Sequence, residues 1–198
     1  MTKFILKYVS LLVVLAFTTP VFATDTMDPK AQFVAKLGDE AIAIISNKDL
    51  SDDGRRAKFS SLLDTYFDVN TIGRFAMGRH WRDASDTQKD EYLKLFKQMI
   101  LDVYTKRFSD YTNEKLEVLK AEKINDRDTI VKSQVVFGND RPPLLLEWRV
   151  RDKKGQARII DLSVEGVSMS VTQRSDFSSI IQRNGEVEAL LAEMRKRY

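Results

Sequence analysis

The 198-residue chain contains no cysteine and one histidine, His80, which excludes thiol catalysis, thiolate zinc sites and iron–sulfur clusters and leaves little for a metal centre or a triad. Its 32 basic and 29 acidic residues are mixed along the chain with no basic block, so the pI near 9.0 does not argue for nucleic-acid binding.

The chain opens with Met1 to Lys7, an apolar run from Tyr8 to Phe17, and then Pro20-Val21-Phe22-Ala23. Two lysines, a short hydrophobic core and small residues before a cleavage point are the parts of a secretory signal peptide. The apolar run is about ten residues, against roughly 20 for a membrane span, so residues 1–23 read as a cleaved signal rather than an uncleaved anchor. No cysteine follows that could carry a lipid anchor. The mature domain, 24–198, then has a net charge of +1 over 175 residues. That length suits one domain held by packing alone, since no disulfide can form.

Asp28-Pro29 predicts a capped helix start, and Val34, Leu37, Ala41 and Ile45 follow at helical spacing. Ser51 caps a second helix that turns Phe59, Leu62, Leu63, Tyr66 and Phe67 inward, and Asp68 caps a short third helix ending at Gly78. Ser85 and Gln88 form a capping box in front of Tyr92, Leu95, Phe96, Met99, Val103 and Tyr104, a stripe that predicts a long helix running to about Phe108.

From Lys115 the period changes to two. Leu116 and Val118 form one strand; Val131, Ser133, Val135 and Phe137 form a second; Leu144, Leu146, Trp148 and Val150 form a third. Asn125 to Asp128 and Asp152 to Gly155 read as turns, and Gly138 to Pro143 as a loop. Ile160, Leu162 and Val164 continue the sheet, Glu165-Gly166 bends the chain, and Val167, Met169 and Val171 predict a last strand. Ser175-Asp176 then caps a helix stopped at Asn184-Gly185, and Val187, Leu190, Leu191 and Met194 mark a final one. The expected fold is α+β, one domain: a curved antiparallel sheet of about four or five strands covered by helices, with an apolar cavity between them.

Candidate chemistry is sparse. His80 reads as a packing or capping residue, and neither a nucleophile elbow nor a glycine-rich phosphate loop occurs. The pairs Asp52-Asp53 and Glu186/Glu188 sit in polar, solvated contexts. Asp161 lies in an otherwise apolar strand, where pairing with Arg149, Arg151 or Arg158 is the expectation. A hydrolase using Asp161 or His80 is thus the enzyme rival, and an adaptor with a solid core that binds only protein is the interaction rival.

Tyr66-Phe67-Asp68, Ile72-Gly73-Arg74, Met77-Gly78-Arg79-His80-Trp81-Arg82 and Gln88, followed by Phe96, Tyr104, Tyr111, Asp161, Glu165-Gly166-Val167-Ser168, Arg174-Ser175-Asp176-Phe177, Gly185 and Leu190-Leu191, resemble in order the MlaC family of periplasmic phospholipid-binding proteins, also called toluene-tolerance proteins. The family usually has tryptophan four residues before the Asp161 position, where this chain has Ala157. The resemblance implies a non-enzymatic carrier that shuttles glycerophospholipid through a Gram-negative periplasm. Its partners would be an outer-membrane lipoprotein or porin complex and an inner-membrane ABC transporter complex, and lipid asymmetry of the outer membrane would be the outcome. It implies phospholipid as cargo, no cofactor, no metal, a monomer and only transient proximity to membranes.

Burying some 30 methylenes at about 0.8 kcal/mol each removes a barrier of about 25 kcal/mol to transit through water. A pocket at or beyond the upper end of the usual ~300–1,000 Å³ is therefore expected. From facing and bulk, the expected acyl-chain lining is Phe75, Met77, Trp81, Phe96, Met99, Tyr104, Val135, Phe137, Leu146, Trp148, Val164 and Val167. Arg79, Arg82 and Arg195 are the candidates for headgroup or partner contact.

Overall fold

The computed structural model describes residues 27–105, 114–138 and 141–198. The segment 1–23 read above as a signal peptide, the helix end predicted near Phe108, Tyr111 and the middle of the predicted Gly138–Pro143 loop lie outside the described residues, as does the side chain of Tyr104.

Local chemistry sets the helix starts. Asp28 accepts from the Lys30 amide and Pro29 takes the first position of α1, Pro29–Ser46. Ser51 caps α2, Asp52–Tyr66, and Asp68 caps α3, Val69–Met77. A 3-10 turn, Gly78–Trp81, follows directly. The capping box before α4, Asp86–Thr105, is reciprocal: the Gln88 amide donates to Ser85 Oγ at 3.2 Å and the Ser85 amide to Gln88 Oε1 at 3.0 Å.

The sheet is an antiparallel meander in the order β1-β2-β3-β4-β5: β1 Lys115–Lys123, β2 Asp128–Val136, β3 Leu144–Lys153, β4 Gln156–Val164 and β5 Val167–Ser168. Both tight turns use left-handed pairs, Lys154-Gly155 and Glu165-Gly166, the geometry that matches strand twist and that glycine adopts without penalty. Two register shifts, between Val118 and Lys120 and between Arg149 and Val150, add the local twist that bulges supply.

The second shift corrects one expectation. Val150 pairs with Ile159 rather than Ile160, so Ile159 takes the inward place beside Leu162, fully buried. Ala157, where the family's tryptophan usually stands, is partly buried against the same core. A further difference lies after β5. Val167, Met169 and Val171 do not continue as a strand, because Ser168 Oγ accepts from the Val171 amide and starts α5, Met169–Asn184, two turns earlier than Ser175 suggests. The last helix, α6, runs Val187–Arg197.

Two apolar clusters result. The first joins α1 and α2 to the sheet face through Val34, Leu62, Leu63, Tyr66, Val131, Leu146, Trp148, Val150 and Ile159. Phe33 packs on Tyr66 at 5.0 Å, and burial with the nearby Glu40 carboxylate pushes the Tyr66 hydroxyl up to about 12. The second lies between α3, α4, α5 and α6, around Met77, Tyr92, Phe96, Phe177, Leu190 and Leu191. A polar clip closes the far end of the sheet. The Asp128 carboxylate is 1% exposed and accepts from Arg149 and Arg151, each as close as 2.7 Å. Those bonds, Arg151's first, outweigh burial and hold Asp128 well below the usual carboxylate range.

Candidate functional site

A cavity of about 530 Å³ opens inside the first cluster, between the helices and the sheet. One wall is α1 and α2, through Leu37, Ala41, Ile45, Phe59, Leu62 and Leu63; α3 and α4 contribute Val69, Ile72, Phe96, Ile100 and Val103. The sheet supplies Leu116, Val135, Leu146, Trp148 and Leu162. Polar groups enter the lining at two places: Asp161, Ser170, Thr172 and Gln173 where β4 meets the start of α5, and Glu114 and Lys115 at the start of the edge strand β1.

Side-chain chemistry explains why the walls stand where they do. Gly38 brings α1 close to β1, since a Cβ there would come within 2.6 Å of Leu116 Cδ2. The Trp148 indole N–H donates to the buried Ser133 hydroxyl at 2.8 Å, which fixes the ring as lining, and Phe67 meets it edge-on at 6.5 Å. The Asp68 amide donates to the Ile159 carbonyl at 2.9 Å, tying the α2–α3 junction to β4. With α1 drawn in at Gly38 and two aromatics projecting inward, the volume falls in the middle of the usual range for ligand pockets rather than at its upper end.

Asp161 reaches this lining but is not paired with an arginine. Its carboxylate accepts from the hydroxyls of Ser168 at 2.6 Å and Ser170 at 2.7 Å, and from the Ser170 amide at 3.2 Å. Arg149 and Arg151 are taken by Asp128, and Arg158 bonds the Ala157 carbonyl. Asp161 therefore fastens the first turn of α5 to β4 at the polar stretch of the cavity. His80 sits in the 3-10 turn and does not line the cavity. Among the described residues there is no group of acids and histidines that could hold a metal ion, and no helix long and apolar enough to cross a membrane.

The residues expected to line the pocket divide. Phe96, Val135, Leu146 and Trp148 do line it. Val164 packs against the same cluster outside the lining. Met77, Trp81 and Met99 belong to the second cluster. Phe75 and Val167 are exposed, and Phe137 lies past the end of β2 under the Arg141 guanidinium, 4.1 Å from its ring. Arg79 and Arg82 are exposed. Arg195 bridges Glu91 and Glu188, joining α6 to α4 at 2.6 Å to each. The reading from sequence passed over α1 altogether as lining. Its stripe of Leu37, Ala41 and Ile45 was the available signal.

The family model described as MlaC protein matches residues 35–196. The chain belongs to the MlaC family. The matched span takes in every residue that lines the cavity. A curated relative, the intermembrane phospholipid transport system binding protein MlaC of Haemophilus influenzae, is 23% identical over 134 residues, which is 66% of this chain and 62% of the relative. The alignment thus leaves more than a third of that relative's length unmatched. A phospholipid-binding protein from Ralstonia solanacearum, solved in complex with a phospholipid, superposes with a TM-score of 0.73 at 24% identity, over 84% of this chain and 95% of that one. At that identity the likeness speaks for the MlaC-type fold: helices around a five-stranded antiparallel sheet in one α+β domain.

Proposed function

We propose that the protein is a non-enzymatic phospholipid carrier of the periplasm, exported by a signal peptide at residues 1–23, that moves glycerophospholipid between outer-membrane and inner-membrane ABC transporter complexes and so maintains outer-membrane lipid asymmetry. It works as a monomer, takes phospholipid as cargo and needs no cofactor. The observation that carries this reading is the apolar cavity in the first cluster. An aliphatic space of this size gains free energy from hydrocarbon at about 25 cal/mol per Å² of apolar surface removed from water and offers nothing to a charged headgroup, which must stay at the polar stretch near Asp161 and Gln173. The family membership, the relative's name and the lipid-bound neighbour support the same reading. An adaptor with a solid core fits poorly with an open cavity where that core should be.

The test is extraction of protein purified from cells, followed by mass spectrometry. Phospholipid is expected in the extract of the wild type and is expected to fall severalfold in Leu146→Arg, which places a cation in the cavity, while helicity is retained. A wild-type extract without phospholipid overturns the proposal, and equal losses of lipid and helicity would make Leu146 ordinary core.

A further inference from the structure

The described arginines divide into those with a carboxylate partner, Arg141 among them, and those without, of which Arg127, Arg158 and Arg183 stand apart in the β1–β2 turn, on β4 and at the end of α5. Arg55, Arg56, Arg149, Arg151, Arg195 and Arg197 each sit within ion-pair distance of a carboxylate. Arg74, Arg79, Arg82 and Arg174 are exposed, and among the described residues none of them makes an ion pair. Arg74 falls on α3, Arg79 and Arg82 on and just after the 3-10 turn that follows it, and Arg174 of α5 packs against the same segment. The Arg174 guanidinium of α5 lies 5.3 Å from the Phe75 ring of α3, and its Nε is 2.8 Å from where a Cβ on Gly78 would stand. Arg74 lies 5.9 Å from the Trp81 ring, and Arg79 and Arg82 belong to or follow the same 3-10 turn. From Arg74 to Ala84 three arginines stand against one acid, Asp83.

Apolar surface is exposed among these cations. Phe75 is 41% exposed, and Val171, one turn before Arg174 on α5, is 54% exposed. The inner faces of the same two helices line the cavity, through Ile72 of α3 and Met169 and Gln173 of α5.

We propose that the outer face of α3, the 3-10 turn and α5 is a docking surface for an anionic phospholipid leaflet. The proposal rests on the carrier reading, and it adds where and on what chemistry the carrier lands. Guanidinium groups without carboxylate partners are available to lipid phosphates, which they bind bidentately. An aromatic and a valine among cations suit shallow insertion at the headgroup boundary. Landing there sets the walls of the cavity against the leaflet, which shortens the path of an acyl chain through water. A rigid acidic protein face would leave Phe75 and Val171 without a stated use, so the leaflet is the better match.

The test is flotation of the purified full protein with vesicles of phosphatidylcholine alone and with about 30% phosphatidylglycerol added, at about 20 mM and about 300 mM salt, where screening differs severalfold in range. Each arginine near an anionic surface is worth about fivefold in partitioning. Wild type is expected to favour the anionic vesicles more than tenfold at low salt and to lose most of that preference at high salt. The combined variant Arg74→Gln, Arg79→Gln, Arg174→Gln is expected to lose on the order of 100-fold, with an unchanged thermal melt and unchanged co-purified phospholipid. Equal partitioning of wild type to both vesicles overturns the proposal and leaves the carrier reading intact. Binding to neither vesicle, with the arginines still needed for capture of an acidic protein, overturns it in favour of a protein partner. Salt-sensitive anionic binding by a wild type that carries no phospholipid keeps the docking surface and removes the carrier reading. If the combined variant fails to fold, the wild-type series still overturns the proposal where no anionic preference appears, and the single variant Arg174→Gln, expected to lose about fivefold, locates the surface where one does; an Arg174→Gln that binds as wild type overturns it.

Discussion

The two apolar clusters are built from the same residue types, yet the sheet cluster encloses an apolar cavity of about 530 Å³, whereas the hollow beside the helical cluster, about 380 Å³ at Met99, Phe177, Leu190 and Met194, opens among the charged groups Asp176, Arg183, Glu193 and Arg197. In the helical cluster, Tyr92, Phe96 and Phe177 meet ring to ring at 5.7 to 6.2 Å, and the Tyr92 hydroxyl donates to the Gly73 carbonyl at 2.9 Å. Four helices can close on one another from several sides, so aromatic bulk fills the space. In the sheet cluster, α1 and α2 lie over a twisted sheet, and side chains of leucine and isoleucine size do not span the gap everywhere. Tertiary shape rather than composition therefore decides which cluster encloses the apolar cavity. On the carrier reading proposed above, the helical cluster holds the fold and the sheet cluster would hold the cargo.

The largest effect should come from the solid side. Leu191 is fully buried in the helical cluster, and Leu191→Ala is expected to cost about 3–4 kcal/mol in urea unfolding, transfer and cavity terms together. Leu62 is nearly as buried but already faces empty space. Its truncation should cost about 2 kcal/mol or less, because fewer contacts are lost. Equal costs at the two sites would mean that the cavity does not loosen its own wall.

Next in size is the polar clip at the end of the hollow cluster. Asp128→Asn leaves two arginines facing a neutral amide and should cost about 2–3 kcal/mol at pH 7, less than the full penalty for a broken buried pair because both arginines are partly exposed. The sign of the pH dependence follows from the lowered carboxyl. Its stabilising contribution is fully present above the unfolded value of about 4 and is lost as pH falls from there toward the folded value. Denaturant melts should therefore show a constant gap between wild type and variant from pH 7 to about pH 5, narrowing below about pH 4. A gap that stays open at low pH would mean that packing, not the charge, does the work.

How much of this could be read from the residues follows from the range of each interaction. Helix starts at Asp28-Pro29, Ser51, Asp68 and Ser85 were legible because a cap is decided within four residues, as were the turns at Asp152 to Gly155 and Glu165-Gly166. The start of α5 was not, since Val167, Met169 and Val171 satisfy a period of two while Val167 and Val171 also satisfy a helical i,i+4 spacing. The hydroxyl of Ser168 and the Asp161 carboxylate that holds it decide between them. The division of lining from core was least legible. The α4 stripe is broad enough to serve both clusters: Ile100 and Val103 line the cavity, Tyr92 and Leu95 turn to the helices, and Phe96 belongs to both. No local pattern distinguishes these, because the neighbours that separate them come from α2 on one side and α6 on the other. Asp128 was read as one more polar turn residue, since its two arginines lie more than 20 positions away.

The smallest change in stability gives the sharpest separation of the clusters, because its sign differs between them. Ala41 lines the cavity, whereas Ala76 is fully buried in the helical cluster. Enlarging a residue in a filled core forces side chains off their rotamers and costs about 1–3 kcal/mol, so Ala76→Phe should lower the urea midpoint clearly. The same enlargement at Ala41 has room to enter and buries apolar surface as it does so. Ala41→Phe is therefore expected to stay within about 1 kcal/mol of wild type or to exceed it, while the phospholipid extracted from the purified protein falls. A stability loss at Ala41 matching that at Ala76 would show that the cavity wall cannot accept added volume, and hydrocarbon would then need the wall itself to move before it could enter.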